Sequence, residues 1–168
     1  SRHALDAVLE MPDSYLDDSN PHRELAERFL HACLALQRPQ ALAMIHAAVQ
    51  EGVPVREVYL DVLTPALHEL GRLWHCNRIT VAQEHYCTAI SQLVMAQLFP
   101  AIFEDDRKCG RLVSTCVAGE LHEIGARMVT DLFEMNGWDT IFLGADVPKE
   151  SIIDTLIRHD ASILAISA

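Results

Sequence analysis

The sequence predicts an α/β chain with an all-α N-terminal part, in which a four-helix bundle precedes a doubly wound parallel sheet. Between residues 21 and 104, apolar residues recur at helical spacing and are separated by proline and glycine breaks. After residue 110, short apolar runs alternate with amphipathic segments in the order β-α-β-α-β. Strands that alternate with helices in this way indicate a parallel sheet with crossover connections.

Residues 1–20 are predicted to be a linker fragment, because Met11, Pro12 and Asp13 are followed by the acidic and polar run 17–19. Asn20 and Pro21 mark the start of the first helix, since a capping residue followed by proline is typical of a helix N-terminus. The apolar stripe of this helix is expected to consist of Leu25, Phe29, Ala32 or Cys33, and Leu36.

Prolines mark the beginnings of the second and third helices. Pro39 begins a helix that ends at Gly52, and Pro54 begins a helix whose apolar stripe runs to Trp74. Pro65 lies inside the third helix. Because proline lacks an amide hydrogen and crowds the preceding turn, we expect it to kink this helix.

The fourth helix is predicted from a capping box. Thr80 and Gln83 have the spacing at which each side chain bonds the other residue's backbone amide, and the helix that follows runs toward Phe99. Four helices with short connections favour an antiparallel bundle over residues 21–104.

A polar break at residues 104–108 precedes the second domain, which we assign to residues 110–168. Its predicted strands are residues 112–117, 138–144 and 163–167, and its predicted helices are residues 124–135 and 148–157. A buried-type strand at the end of a domain would leave a sticky edge. We therefore expect the natural protein to continue, so that this domain is truncated after its third strand.

Composition excludes several classes of function. The net charge of -11 and the absence of a basic run argue against direct nucleic-acid binding. No apolar run has the ~18 residues of a membrane span, and the N-terminus does not resemble a signal peptide. The five cysteines show no paired spacing, so we expect reduced thiols and a cytoplasmic location.

The loop after the first predicted strand carries the clearest candidate site. Ligands of doubly wound sheets bind at the carboxyl ends of strands, which is where His122 lies. Glu120 is close enough in sequence to bond one ring nitrogen of His122, and Gly125 would allow a bulky ligand to approach the backbone. On spacing alone, an ordinary surface histidine remains the alternative.

Glu120-x-His122-x-x-Gly125 resembles the Asp/Glu-x-His-x-x-Gly signature of cobalamin-binding domains. In that family, the histidine replaces the nucleotide tail as the lower axial ligand of cobalt, and the tail enters a Rossmann-like domain. The resemblance therefore implies that His122 binds cobalt. Ser167 is similar to a serine that contacts the tail, although it is equally well explained as an ordinary strand-end residue.

The helical part resembles the bundle that caps the upper face of the corrin, most closely in cobalamin-dependent photoreceptor regulators. The pattern Trp74-x9-Glu84-His85, with Val81 between, carries this resemblance. It implies that Trp74 and Val81 enclose an adenosyl group while Glu84 contacts its ribose. The alternatives are that Trp74 is a core residue and that Glu84 and His85 only interact with the helix dipole in the first turn of the fourth helix.

His75 also has a counterpart in these photoreceptors. There, light breaks the cobalt–carbon bond and the histidine takes the vacated upper position. The resemblance thus implies a second cobalt ligand in the lit state. The alternative is a histidine that caps carbonyls at the end of the helix.

The favoured function is therefore an adenosylcobalamin-dependent light sensor that signals through an effector domain outside this chain. Methylcobalamin and hydroxocobalamin remain open as cofactors, as does a homo-oligomeric state. One alternative is a corrinoid carrier protein for methyl transfer, and another is a relative that binds haem or no ligand. No catalytic residues are expected: nucleophile-elbow and phosphate-loop motifs are absent, and no zinc ligands occur at short spacing.

Overall fold

The computed structural model describes residues 14–102 and 109–168. Two compact units divide the chain, Ser1–Gln97 and Leu98–Ala168. The predicted polar break lies outside the described residues, as does most of the predicted linker. The domain limits given above stay a prediction. No helix in the described ranges combines the length and the apolar character that a membrane span requires.

The first unit is helical, as predicted. Helix α3 is continuous but has three parts: an α-helical turn, a π-helical segment and a longer α-helix. The bounds are α1 Arg23–Leu34, α2 Arg38–Gln50, α3 Val55–Glu57, Val58–Leu63 and Thr64–His75, and α4 Val81–Ile102. Pro39 and Pro54 stand at the starts of α2 and α3, and the capping box of Thr80 and Gln83 forms at the start of α4.

Helix α1 ends earlier than its apolar stripe suggested. Leu36 lies beyond the helix with φ 59°, and its side chain is 60% exposed. The amides of Leu36 and Gln37 donate to the carbonyls of Cys33 and Ala32, which closes the helix with a left-handed residue. The expectation that Leu36 belongs to the buried stripe is therefore wrong, because the turn directs it out of the helix.

Pro65 is accommodated by a change of helix type. The π-helical segment ends at Leu63, two residues before the proline, and Pro65 then occupies the first turn of the following α-helix. The hydroxyl of Thr64 donates to the carbonyl of Tyr59 at 2.8 Å. Because proline offers no amide hydrogen, the wider π-helical turn allows the chain to continue as one helix.

The core of the helical unit contains buried apolar side chains from all four helices, and side-chain hydrogen bonds join α4 to α1 and α2. The largest buried apolar side chains include Phe29, Leu30, Ile45, Val58, Tyr59, Val62, Leu63, Leu70 and Leu73. His46 on α2 bonds Gln97 on α4 at 2.7 Å. Cys33 on α1 forms a hydrogen bond with Cys87 on α4, and this bond together with burial raises the pKa of the Cys33 thiol. All five cysteines are free thiols.

The second unit is a three-stranded parallel sheet with the order β2-β1-β3, which confirms the predicted fold class. Its elements are β1 Arg111–Cys116, α5 Ile124–Glu134, β2 Asp139–Gly144, α6 Lys149–Arg158 and β3 Ile163–Ser167. Strand β1 is central and almost wholly buried. Its short run of apolar residues and small polar ones suits a strand covered on both faces.

The chain changes direction across the sheet at β1, because β2 pairs with one of its edges and β3 with the other. Cys116 at the end of β1 pairs with Ser167 at the end of β3. The amide of Val117 donates to the carbonyl of Ser167 at 2.8 Å. The loop after β1 therefore begins beside the end of β3, at the switch point where doubly wound sheets bind ligands.

Candidate cobalamin site

The loop after β1 is held by reciprocal hydrogen bonds to the loop after β2. Gly119, with φ 85°, donates its amide to the carboxylate of Asp146 at 3.1 Å. In return, Ala145 donates its amide to the carboxylate of Glu123 at 3.1 Å. Each loop thus supplies a carboxylate to the backbone of the other, which fixes the segment that carries His122.

His122 presents an open imidazole next to a bonded carboxylate. Its side chain is 93% exposed, and its Nδ1 lies 2.6 Å from Oε1 of Glu120. The hydrogen bond that the spacing predicted is therefore present. A bond from Nδ1–H to a carboxylate favours the tautomer in which Nε2 carries a lone pair, which is the form that binds a metal ion.

Glu120 is stabilised in its ionised form. The backbone amide of His122 donates to Oε1 of Glu120 at 2.6 Å, and this bond is the largest cause that lowers the pKa of the carboxyl group. The bond to the His122 ring lowers it further. The carboxylate therefore remains charged at neutral pH and can support positive charge on the ring or on a bound cation.

Cys116 lies beneath this loop at the end of β1. It is fully buried, and its Sγ is 3.9 Å from the carbonyl oxygen of His122, a weak hydrogen bond. Burial raises the pKa of the Cys116 thiol, and the charges of Glu123 and Glu120 raise it further. Cys116 is thus a neutral thiol that supports the backbone of His122, and it is not a thiolate that would bind a metal beside His122.

Gly125 and Ser167 lie on either side of the switch point. Gly125 is exposed in the first turn of α5, and a Cβ atom built there meets no heavy atom within 4 Å. Space for a flat ligand is therefore open on this face. Ser167 is the last residue of β3, half-buried beside the start of the loop. Their roles toward a cofactor stay predictions.

In the helical unit, the end of α3 is closed by a backbone motif. Asn77 has φ 56° and donates its amide to the carbonyl of Trp74 at 2.9 Å. Arg78 donates to the carbonyl of Leu73 at 2.9 Å. This pair of bonds is a Schellman motif, and it satisfies the last carbonyls without any side chain.

Trp74 and His75 are consequently free to face outward at the end of α3. The side chain of Trp74 is 48% exposed, whereas its neighbour Leu73 is fully buried. The two rings of Trp74 and His75 lie 6.2 Å apart at an angle of 60°. Within the described residues, the His75 ring makes no hydrogen bond. The alternative interpretations, a core tryptophan and a carbonyl-capping histidine, do not fit this geometry.

The start of α4 carries the other residues predicted for the upper face. Val81 is exposed, and His85 is largely exposed. Oε2 of Glu84 lies 2.5 Å from Nδ1 of His85, and Oε1 of Glu84 accepts a bond from the hydroxyl of Thr88 at 2.8 Å. A carboxylate has about four acceptor positions. Glu84 therefore retains capacity for a further donor such as a ribose hydroxyl.

Glu84, Thr88 and Ser91 share one face of α4 at helical spacing, a pattern that suggests a polar stripe, but Ser91 does not belong to such a stripe. It is buried, and its hydroxyl donates to the carbonyl of Cys87 one turn earlier at 3.0 Å. The stripe of polar residues thus ends at Thr88. A serine on a helix can satisfy its hydroxyl within its own helix, so spacing alone does not place it on a ligand surface.

One group of metal-ligating side chains was missed. His22, Glu57 and Asp61 bring their ligand atoms within 4.8 Å of one another in the helical unit. The absence of zinc ligands at short spacing in the sequence did not anticipate this group. His22 lies 35 residues before Glu57, so only the fold brings them together. The spacing of Glu57 and Asp61 by four residues was the sole signal in the sequence.

The residues of the sheet unit fit a corrinoid. The cofactor itself supplies four equatorial nitrogen ligands, so the protein needs only one donor for the lower position. His122 offers that donor in an exposed and oriented form, and Gly125 leaves room above the backbone. A zinc site would instead require three or four protein ligands around His122. Among the described residues, His122 does not belong to any cluster of three or more potential metal ligands.

Two family models match the chain, and both are described as a B12 binding domain. One matches residues 25–99, and the other matches residues 110–168. The first range covers the helical bundle from α1 into α4, and the second covers the sheet unit with the loop that carries His122.

Individual relatives support the same assignment. Monomethylamine corrinoid protein 2 of Methanosarcina acetivorans is 22% identical over 139 residues, which are 81% of this chain and 64% of that protein. The HTH-type transcriptional repressor CarH of Myxococcus xanthus is 30% identical over 137 residues, which are 80% of this chain and 44% of the repressor. The chain thus spans less than two thirds of the length of these curated relatives.

The fold also matches a solved structure. The monomethylamine corrinoid protein of Methanosarcina barkeri superposes with a TM-score of 0.74 at 20% identity, over 86% of this chain and 69% of that one. The relatives named here are corrinoid proteins and a repressor, in agreement with the prediction of a binding module rather than an enzyme. The two family models together cover both units, and the chain therefore belongs to the cobalamin-binding, or B12-binding, domain family.

Proposed function

We propose that this cobalamin-binding module is a light sensor that uses adenosylcobalamin. The observation that carries the proposal is the exposure of Trp74 at the end of α3, directly before a histidine whose ring makes no hydrogen bond within the described residues. Exposure of the large apolar ring of Trp74 to water is unfavourable in free energy. A bound ligand that covered the ring would remove this penalty. A carrier of a methyl group would have no need of a large aromatic surface at this position.

In this proposal, His122 is the lower axial ligand. Its Nε2 binds the metal while Glu120 holds Nδ1, which keeps the ring oriented and increases its basicity. Gly125 permits close approach to the start of α5, and Ser167 contacts the nucleotide tail at the end of β3. These residues provide binding and orientation and take no part in bond cleavage.

The upper-face residues recognise the adenosyl group. Trp74 and Val81 supply apolar surface for its base, and Glu84 accepts hydrogen bonds from its ribose hydroxyls. His85 holds one oxygen of Glu84 and so positions the carboxylate. Hydrogen-bonded selection of ribose would favour adenosylcobalamin over methylcobalamin, because the methyl form leaves the Glu84 carboxylate without this partner.

When bound, adenosylcobalamin supplies a cobalt–carbon bond that visible light cleaves. His75 is the residue that we assign to the lit state, as a replacement ligand for the upper position. The His75 ring is exposed, and the helix end beside it is closed by backbone hydrogen bonds alone. Movement of this ring to the upper position would therefore break no side-chain hydrogen bond among the described residues. The output would pass to an effector domain outside residues 1–168.

The test is the absorption spectrum of the chain with adenosylcobalamin, in the dark and after green light. We expect the dark spectrum to lack the signature of the nucleotide tail on cobalt and the lit spectrum to become that of a stable bis-imidazole complex. His75→Ala should bind in the dark but lose corrinoid after light. His68→Ala, an exposed histidine on the same helix, should behave like the unaltered protein. Full retention of the photoproduct in His75→Ala would contradict the role of His75.

A second function is favoured by the names of several relatives, which are methylamine corrinoid proteins. In that case, the chain would carry a methyl group between partner enzymes, and His122 would have the same role. The two functions differ in ligand preference. Tighter binding of methylcobalamin than of adenosylcobalamin, unaffected by Trp74→Ala, would favour the carrier. The reverse preference, abolished by Trp74→Ala, would favour the sensor.

A further inference from the structure

The group formed by His22, Glu57 and Asp61 lies in the helical unit and has no role in the function proposed above. Nε2 of His22 is 2.7 Å from Oε2 of Glu57. One ligand atom from each of the three residues lies within 4.8 Å of those of the other two. The three side chains are half-buried, which limits the competition of solvent without closing the site.

Local structure holds these residues together from two distant parts of the chain. Glu57 ends the first turn of α3, and Asp61 lies four residues later in the π-helical segment. Asn20 connects them to His22: its side-chain NH2 group donates to the carbonyl of Asp61, and its Oδ1 accepts the amide of His22, both at 2.7 Å. The entry to α1 is therefore fixed against the π-helical segment before any ion binds.

The charges of the group are incompletely compensated. Glu57 has His22 as its bonded partner, and the carboxylate of Asp61 forms no hydrogen bond or ion pair with any residue that the structure describes. Arg23, the cation next to His22 in sequence, pairs instead with Asp18 and Glu27. Two carboxylates beside one imidazole thus lack the positive charge that a cation would supply.

We propose that His22, Glu57 and Asp61 bind a divalent transition-metal ion, and that Zn²⁺ is the best fit among common ions. One imidazole nitrogen with two carboxylate oxygens is a ligand set that Zn²⁺ accepts at about 2.0–2.2 Å, with water in the fourth position. Mg²⁺ and Ca²⁺ prefer oxygen ligands throughout, and the histidine selects against them. Binding of the ion would require the three side chains to rotate until their ligand atoms reach the distances of a tetrahedral site.

A bound ion would join the start of α1 to the π-helical segment of α3. The π-helical segment is the irregular part of the helix that leads to Trp74 and His75, whereas His22 lies before the first helix. The ion would replace the direct contact of His22 with Glu57 by two metal–ligand bonds and add a third from Asp61. The site therefore acts as a metal-dependent clamp within the helical unit.

The proposal is tested by zinc titration of the full chain after removal of metals, in competition with a chromophoric chelator. Zn²⁺ also binds exposed thiols and histidines. The readout is therefore the number of Zn²⁺ ions bound per chain by the unaltered protein, minus the number bound by each variant. We expect His22→Ala and Asp61→Asn each to lose one equivalent of bound zinc. Removal of a direct ligand should weaken the site by more than the about 10–100-fold that the loss of a supporting hydrogen bond costs. His46→Ala is the matched control, because His46 bonds a side-chain oxygen at the same 2.7 Å but has no carboxylate partner.

Zinc should also raise the melting temperature of the unaltered chain and of His46→Ala, but not that of Asp61→Asn. Circular dichroism and cobalamin binding report whether each variant folds. Zinc-edge X-ray absorption on the unaltered chain gives an independent readout, with nitrogen and oxygen ligands expected for this equivalent. Equal numbers of equivalents in all variants, no tight equivalent in any of them, or a site made only of sulfur ligands would overturn the proposal. None of these results depends on the light response.

Discussion

Oε1 of Glu120 lies 2.6 Å from both the backbone nitrogen and Nδ1 of His122. One carboxylate oxygen therefore fixes the backbone of the loop and the tautomer of the ring at the same time. The other ring nitrogen, Nε2, remains directed away from this contact. Because a single side chain controls both features, its removal should disturb His122, the proposed axial ligand, more than the sheet.

Glu120→Ala is expected to weaken cobalamin binding by about 10–100-fold, the usual effect of losing the partner of a metal-bound histidine. Glu120→Gln should have a smaller effect, since its amide oxygen still accepts hydrogen bonds. The measurement is an absorbance titration with cobalamin. Glu150→Ala, an exposed glutamate in the first turn of α6, is the control. An affinity in Glu120→Ala equal to that of the control would show that the contact is dispensable.

The same contact predicts a dependence on pH. Hydrogen bonds from the backbone and ring of His122 hold the pKa of Glu120 below its ordinary value of 4.5. Because the pKa is lower in the folded state, the contact stabilises the fold at pH values above the ordinary pKa. This stabilisation is lost as the pH falls through the lowered pKa of the folded state. The amide resonance of His122 should therefore shift in NMR spectra only below about pH 4.5. In Glu120→Gln this shift should vanish, and its persistence would point to another group.

Trp74 and Leu73 form a matched pair for separating ligand binding from stability. Leu73 is fully buried, so Leu73→Ala should lower the free energy of unfolding by about 2–5 kcal/mol. Trp74 is half exposed, and Trp74→Ala should change it by less than about 1 kcal/mol while reducing affinity for adenosylcobalamin. Urea denaturation and cofactor titration measure the two effects. Severe destabilisation by Trp74→Ala would identify it as a core residue instead.

Gly125 is predicted to matter only in the presence of cofactor. A Cβ at this position meets no heavy atom within 4 Å, and the residue is helical, so Gly125→Ala should preserve or raise the melting temperature of the free chain. Its affinity for cobalamin should nevertheless fall, and Gly125→Val should lower it further. Gly71→Ala is the matched control, since Gly71 is also helical with open space around it. Unchanged affinity in both Gly125 variants would place the cofactor elsewhere.

Most of the fold follows from local sequence signals. The third strand was predicted with its observed bounds, and the first two differ by one residue at their ends, because short apolar runs between glycine and polar breaks have few other interpretations. The capping box at Thr80 formed as expected, since both of its partners lie within one turn. The contact of Glu120 with His122 was equally predictable, because the two residues are only two positions apart in the sequence.

Features that depend on distant parts of the chain were not predictable. The π-helical segment before Pro65 was not predicted, since a helix can accommodate a proline by a kink as well as by a change of helix type. The exposure of Leu36 depends on a left-handed turn that its residue type does not favour. The meeting of His22 with Glu57 requires the antiparallel return of the chain, which no local pattern encodes.

The reciprocal bonds between the loops after β1 and β2 have a consequence for local unfolding. Gly119 depends on Asp146, and Ala145 depends on Glu123, so neither loop can open without freeing an amide of the other. The amide protons of Gly119 and Ala145 should accordingly exchange with deuterium at closely similar rates, as members of one cooperative unit. A substitution in either carboxylate would then release both protons, and the segment that carries His122 would lose its protection together with a loop 22 residues away.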